Sequence, residues 1–219
     1  MVVAAQALAK EAEGMALTVD GAEHKGPLFR TLPQRALETR PLVVANPGPA
    51  ARQVVLTVAG IPTTPEPARN QGFALERTIH TMKGERADPA RLRQNERYVV
   101  TLKITEAAAR FGRLLLVDPL PAGLEIENAN LTEGASTEGL SWLKQEVAPV
   151  HTEARDDRYV AAFERSGESG QVLSYTVAYI VRAVSPGRYV APAAAIEDMY
   201  RPDRYGRTGF GTVDIAAAR

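Results

Sequence analysis

The sequence predicts a mainly β protein: an antiparallel β-sandwich preceded by a partial β domain and one short N-terminal helix. Short apolar segments with strand-like alternation recur after residue 15, and turns rich in Gly and Pro separate them. Only residues 2–14 have a helical composition, rich in Ala, Leu, Lys and Glu and ending at Gly14. This order of elements predicts three parts, residues 1–15, 16–66 and 70–219.

The first part is a helix that is too short to be stable alone, so its apolar face needs a partner. We therefore expect it to be the last helix of a preceding domain, and the chain to begin inside a longer protein. The segment also lacks the pattern of a signal peptide, because Lys10 and Glu11 interrupt its apolar run and no basic segment precedes it.

The second part is predicted from turn chemistry. The Asp20–Gly21 dipeptide favours a hairpin within residues 16–32. Two more strands are predicted within residues 41–50 and 52–62, and a Pro-rich linker follows at residues 62–72. Because a β domain with so few strands leaves strand edges and apolar faces unpaired, residues 1–66 are expected to be poorly stable by themselves.

The third part contains enough strands for a core of its own, about seven, with no second helix. The clearest are Tyr98–Thr105, Arg113–Val117 and Tyr159–Glu164. The residues predicted to lie on buried strand faces are Val99, Leu102 or Ile104, Leu115, Val117, Ile126, Tyr175, Val177 and Tyr179.

Composition excludes several classes of function. Lys+Arg and Asp+Glu both number 26, so no excess of positive charge favours nucleic acid or an anionic membrane surface. The absence of Cys excludes disulfides, thiolate metal sites and cysteine nucleophiles. Apolar runs are of strand length, which predicts no transmembrane segment.

No set of residues has the spacing of an active site. His24, His80 and His151 lie far apart and form no metal-binding motif, and no serine lies in a G-x-S-x-G elbow. Asp156 and Asp157 are flanked by arginines and favour a salt-bridged turn over a calcium or acid–base site. We therefore predict no enzyme, no catalytic residue, no metal and no cofactor.

One stretch, AAIEDMYRPDRYGRTG (residues 194–209), is unusual because it concentrates acids, tyrosines and arginines between strands. It is too polar for a buried strand and not of disordered composition, so we predict an ordered surface loop that makes contacts. The alternative is that Tyr200 packs on its own domain beside Tyr205.

The motifs VDPLPAGLEIEN (117–128), HTEARDDRYVAAF (151–163) and YIVRAVSPGRYVAPAAAIEDMYRPDRYGRTG (179–209) resemble the C-terminal region of the bacterial alpha-2-macroglobulins. LTVDGAEHKGPLFRTL (17–32) resembles the segment that follows the thioester domain in that family.

The resemblance implies an identity for each of the three parts. Residues 1–15 resemble the last helix of the thioester domain, residues 16–66 resemble half of a CUB-like β domain, and residues 70–219 resemble the terminal macroglobulin-like sandwich. The reactive Cys-x-x-Gln thioester and the bait region of the family are absent from this chain, so the chain is not expected to trap a peptidase by itself.

The resemblance also implies a function and partners. The family traps peptidases in the periplasm, and the parent protein would be a membrane-anchored lipoprotein. Implied partners are the thioester domain of the same chain, target peptidases and a peptidoglycan-synthesis protein. An alternative interpretation is a generic cell-surface β-sandwich for adhesion or binding.

A site follows from the same resemblance. The pair Met199 and Tyr200 would cap the thioester of the neighbouring domain and exclude water. Around the pair, the residues that would hold the shape of the loop are Glu197, Asp198, Arg201, Pro202 and Asp203.

Overall fold

The structure, a computed structural model, describes residues 14–60, 64–128, 133–144, 147–166 and 170–218. The chain divides into two compact units, Met1–Gly60 and Ile61–Arg219. The N-terminal helix predicted for residues 1–15 falls almost entirely on residues 1–13, outside the described part. In that described part the predicted mainly β class is confirmed, because strands dominate and are mostly antiparallel.

The first unit contains a small antiparallel sheet in the order β2-β1-β3. Its elements are β1 (Ala16–Val19), β2 (Ala22–Lys25), α1 (Gln34–Thr39) and β3 (Val44–Ala45). The predicted hairpin is confirmed as β1 and β2. Its two turn residues both have positive φ, 49° at Asp20 and 84° at Gly21, which is the geometry of a type I′ turn.

Two predictions for this unit are wrong. Helix α1 was not predicted; it is one and a half turns long and buries no residue. The strand predicted within residues 52–62 is not formed in the described residues 52–60, where Val54, Leu56 and Val58 are 82%, 85% and 86% exposed. The apolar alternation of this segment suits a strand, but the described part of the unit offers no neighbouring strand to pair with it.

The second unit is the sandwich, and it contains thirteen described strands rather than about seven. The strands are β4 (Arg69–Gln71), β5 (Phe73–Thr81), β6 (Leu92–Arg93), β7 (Arg97–Glu106), β8 (Gly112–Pro119), β9 (Leu124–Ile126), β10 (His151–Ala154), β11 (Arg158–Arg165), β12 (Leu173–Ala183), β13 (Gly187–Ala191), β14 (Ala195–Asp198), β15 (Arg201–Arg207) and β16 (Gly211–Ala216). Two 3-10 turns, Pro89–Arg91 and Glu133–Ala135, complete the described elements.

These strands form three sheets. The largest has six antiparallel strands in the order β10-β11-β8-β14-β15-β4, and a second has four in the order β5-β7-β12-β9. A third, β13-β16-β6, pairs β16 and β6 in parallel. One apolar core joins residues from all three, including Phe73, Leu102, Leu116 and Phe163, each at most 2% exposed.

The predicted core is confirmed for β7 and β12 but wrong by one residue in β8. Leu114 and Leu116 are buried, whereas the predicted Leu115 and Val117 are only half-buried. Leu114–Val117 is apolar throughout, so the sequence does not reveal which face of the strand points inward. Ile126, also predicted as core, is partly buried against it.

The inward face of β8 is settled by a buried carboxylate. Asp118 is 0% exposed; Arg77 Nη1 donates to its Oδ1 at 2.6 Å and the Tyr179 hydroxyl donates to its Oδ2 at 2.7 Å. Arg77 and Tyr179 belong to the four-stranded sheet, and Asp118 to the six-stranded sheet. Because side chains alternate along a strand, an inward Asp118 requires inward Leu116 and Leu114.

A smaller apolar cluster lies on the other face of the four-stranded sheet. Val99, Ala178 and Ile180 are buried there beneath Trp142. The indole Nε1–H donates to the Met82 carbonyl at 3.2 Å, and the ring centroid lies 5.1 Å from that of His80. The segment around residues 140–143 therefore covers this face.

The parity of β8 predicts a difference between two neighbouring leucines. We expect Leu116→Ala to lower the free energy of unfolding by about 2–5 kcal/mol, because it leaves a cavity in the core. Leu115→Ala should cost distinctly less, since that side chain is half-buried. Chemical denaturation of both variants measures the difference, and equal losses would contradict the assigned register.

Limited proteolysis tests the division into two units. Residues 46–60 lack helix and strand and expose apolar side chains, so we expect the first cuts there. Mass spectrometry should then find a stable fragment that begins near residues 61–70. Equal protection of both units would refute this prediction.

Candidate functional site: a Met–Tyr turn above buried ion pairs

The stretch predicted as a surface loop is a β-hairpin. Strands β14 and β15 pair in antiparallel fashion, with Ala195 opposite Arg207 and Asp198 opposite Arg201. Met199 and Tyr200 form the two-residue connection. Strand β14 also pairs with β8, so the hairpin lies within the six-stranded sheet and is not a connector over its surface.

The polar sequence forms strands because its alternation has a period of two. Ile196 and Asp198 are buried, while Ala195 and Glu197 are exposed. The register shifts between Glu197 and Asp198, which leaves residues 202–204 without partners across from β14. A bulge of this kind accommodates Pro202, which has no N–H to contribute to a ladder.

A close approach between backbones seats the hairpin on β5. A Cβ added at Gly206 would lie 2.1 Å from the Phe73 carbonyl oxygen, a distance that no side chain permits. Only glycine therefore allows β15 to lie this close to the start of β5.

The turn itself presents an apolar pair to solvent. Met199 is 55% exposed and Tyr200 is 74% exposed. Both backbone N–H groups are nevertheless bonded: Met199 N–H donates to the Arg113 carbonyl at 2.9 Å, and Tyr200 N–H donates to Asp198 Oδ1 at 3.1 Å. The side chains project outward from a fixed backbone.

Asp198 is the buried base of the turn. It is 1% exposed, and besides the Tyr200 N–H its carboxylate accepts a hydrogen bond at Oδ2 from Arg204 Nη1 at 3.1 Å. Arg201 Nε lies 4.0 Å from the same oxygen. A buried carboxylate is stable only when it is paired and hydrogen-bonded in this way.

Arg204 connects the hairpin to the opposite sheet. Its Nη2 lies 3.7 Å from Oε2 of Glu106, the last residue of β7, and its guanidinium lies 4.8 Å from the centre of the Phe73 ring. Glu106 Oε1 accepts a hydrogen bond from the Tyr175 hydroxyl at 3.3 Å, and Arg165 Nε lies 3.5 Å from it.

The other residues that the sequence analysis assigned to the site differ in what they contact. Arg201 Nη2 donates to the Phe111 carbonyl at 3.0 Å. Glu197, Pro202 and Asp203 are exposed, and neither acid forms a hydrogen bond or ion pair with a described residue. Arg204 and Glu106 were not predicted as part of the site, because no motif in the sequence indicates that residues so far apart lie in contact.

Burial sets the electrostatics of Glu106. Desolvation raises the pKa of its carboxyl above the ordinary value, against the opposing effects of Arg165, the Tyr175 hydroxyl and Arg204. Its Oε2 is buried and has no hydrogen-bond partner among the described residues. Arg204 provides a cation beside this oxygen, with its Nη2 3.7 Å away.

Across the described ranges, no three His, Cys, Asp or Glu side chains come together as a metal site. No described helix has the length and apolar character needed to cross a membrane.

The fold and the site define a macroglobulin-like β-sandwich that carries an exposed Met–Tyr turn. A family profile described as the bacterial alpha-2-macroglobulin MG10 domain matches residues 72–203, more than half of the chain. The chain belongs to the bacterial alpha-2-macroglobulin family.

Relatives agree with this assignment. Alpha-2-macroglobulin of Xylella fastidiosa (strain Temecula1) is 36% identical over 152 residues, which is 66% of this chain and 9% of that protein. The structure of native Escherichia coli alpha-2-macroglobulin from domain MG7 to the C-terminus matches with a TM-score of 0.70 and 25% identity, covering 92% of this chain and 32% of that one.

A third relative is Salmonella alpha-2-macroglobulin reacted with methylamine. It has a TM-score of 0.67 and 25% identity, covering 92% of this chain and 13% of that one. This chain spans only about a tenth of the length of the curated relative from Xylella.

The pH dependence of stability tests the state of Glu106. Because its pKa is raised from 4.5 by burial, its contribution to stability is complete below pH 4.5 and is lost as the pH rises through the raised value. We expect the free energy of unfolding of the wild type, relative to Glu106→Gln, to fall from pH 4.5 towards neutral pH. Denaturant titrations at several pH values measure it, with the surface variant Glu164→Gln as control. A relative stability that rises with pH would mean that the arginines outweigh burial.

Proposed function

We propose that this chain is the C-terminal part of an alpha-2-macroglobulin that inhibits peptidases in the periplasm, and that its Met199–Tyr200 turn shields a reactive thioester in the neighbouring domain of the parent. The role is structural rather than enzymatic. The observation that carries the proposal is the exposure of Met199 and Tyr200, 55% and 74%, on a backbone whose base is buried and ion-paired.

The chemistry of a thioester explains why such a pair is suitable. A thioester is an acyl group that water hydrolyses, so an inhibitor at rest must keep it dry. A thioether and a phenol provide a large apolar area with few polar atoms to leave unpaired. A structure of the Salmonella relative has been determined after reaction with methylamine, and amines, like water, attack thioesters.

The turn is also suited to contact by its rigidity. Both of its N–H groups are already bonded within the sandwich, so little backbone freedom remains to be lost when a partner binds. The side chains alone need to be ordered. An apolar turn held in this manner supports a docking role over a connecting role.

We propose further that the first unit is an incomplete β domain. Val54, Val55, Leu56 and Val58 are each at least 78% exposed, in a segment with strand-like alternation. Other segments of the parent would pair with this segment and cover it, which agrees with the small share of the relative's length that this chain spans.

The shielding role is tested in the full-length parent. Tyr200→Ala should accelerate loss of the thioester, because water and small amines then reach it. Free thiol content and methylamine incorporation, followed over time, measure the loss. Phe210→Ala is the matched control, since Phe210 is 46% exposed and lies beyond the opposite end of β15.

Two results would overturn the shielding role. One is a thioester in the Tyr200→Ala parent that is lost no faster than in the wild type. The other is an equal acceleration by Phe210→Ala, which would indicate general destabilisation rather than exposure of one group.

A further inference from the structure

We propose that Arg204 and Glu106 are positioning residues for the Met199–Tyr200 turn, acting as a strut that runs from the four-stranded sheet to the base of the hairpin. The consequence for a thioester rests on the function proposed above, whereas the positioning itself does not.

The first step is the link between the turn and Asp198. Tyr200 N–H donates to Asp198 Oδ1 at 3.1 Å, so the position of Tyr200 in the turn depends on the orientation of this carboxylate. The space around it is tight, because a Cβ added at Gly112 would lie 2.9 Å from Asp198 Oδ2. Whatever orients the Asp198 carboxylate therefore also positions Tyr200 at the apex of the hairpin.

The second step is the hydrogen bond by which Arg204 orients the Asp198 carboxylate. Arg204 Nη1 donates to Asp198 Oδ2 at 3.1 Å, and the Arg204 side chain is only 13% exposed. A charge-assisted hydrogen bond in the low-dielectric interior of a protein is stronger than one at the surface. Arg201 lies farther from the same oxygen, at 4.0 Å, and its own side chain is 39% exposed.

The third step is the set of contacts that holds the Arg204 side chain in place. Its other terminal nitrogen lies 3.7 Å from Glu106 Oε2, and its guanidinium stacks over Phe73. Glu106 is the last residue of β7, which is an inner strand of the four-stranded sheet. The Tyr175 hydroxyl and Arg165 hold the Glu106 carboxyl in place. The turn is thus supported by the opposite sheet as well as by its own ladder.

The chemistry requires arginine at position 204. A guanidinium presents two terminal nitrogens in a fixed fork and can face two carboxylates at once. A lysine at this position would carry the charge on a single nitrogen, so it could satisfy Asp198 or Glu106 but would not hold both in place.

The strut is tested by hydrogen exchange in the complete 219-residue chain. We expect Arg204→Lys to accelerate exchange of the Tyr200 amide by about tenfold or more, since its acceptor is no longer oriented. The Met199 amide, which donates to the Arg113 carbonyl of β8, should accelerate less, while the amide of Val177 in the core of β12 keeps its wild-type rate. Glu106→Gln, which preserves shape, should give the same local effect more weakly. Arg188→Gln, which breaks the exposed pair with Asp214, is the control and should change none of these rates.

The outcomes separate the strut from a general structural role. Unchanged exchange of the Tyr200 amide in both variants would overturn the proposal. So would an acceleration that the Val177 amide shares in equal measure, because that pattern reports global unfolding. Acceleration confined to the turn supports the strut.

The full-length parent distinguishes failure of the strut from failure of the shielding role. If turn exchange accelerates in Arg204→Lys and the parent also releases thiol faster, both proposals are supported. If turn exchange accelerates but thiol release does not, the strut stands and the shielding role fails. If turn exchange does not change, the strut is refuted whatever the parent does.

Discussion

The sandwich depends on burying carboxylates that lie between its two large sheets. Asp118 and Glu106 are both fully buried, and each is paired with arginine from the opposite sheet. Removing one member of such a pair leaves an uncompensated buried charge, which costs far more than the pair itself contributes. The pairs therefore act mainly as registration points: they specify which face of each strand turns inward and how the sheets are aligned.

This constraint has a consequence for the apex of the hairpin. Turns at the ends of strands usually owe their shape to the ladder beneath them and are among the more mobile parts of a fold. Here the shape of the turn depends also on Asp198 and Arg204, which connect the exposed pair to Glu106, a fully buried carboxyl of the opposite sheet. Substitutions in the core that disturb these contacts are therefore expected to alter the surface at the Met199–Tyr200 turn.

The sequence predicts the fold class well and the details less evenly. Long apolar strands such as β7 and β12 were predicted correctly, because their alternation with polar positions is clear. Strand β8 was assigned the wrong parity, since four consecutive apolar residues carry no alternation and Asp118 was not expected to be buried. The hairpin of β14 and β15 was taken for a loop, because its buried polar residues obtain their partners from distant strands.

The same limit applies to the site. The pair Met199 and Tyr200 could be singled out from a motif and a resemblance, and both side chains are exposed in the structure. Arg204 could not be distinguished from the other arginines around it. What makes it different is a neighbour in β7, and that proximity is created by the packing of two sheets rather than by any local pattern.

Trp142 gives the molecule a built-in optical probe. It is the single tryptophan of the chain, and its indole is fixed against His80 and the Met82 carbonyl on the outer face of the four-stranded sheet. Its emission therefore reports on whether the segment around it remains seated on that face. The hairpin lies in the other sheet, so changes at its apex should leave the tryptophan emission unchanged. A change in the emission would therefore report movement of the segment around Trp142, separately from any change at the Met199–Tyr200 turn.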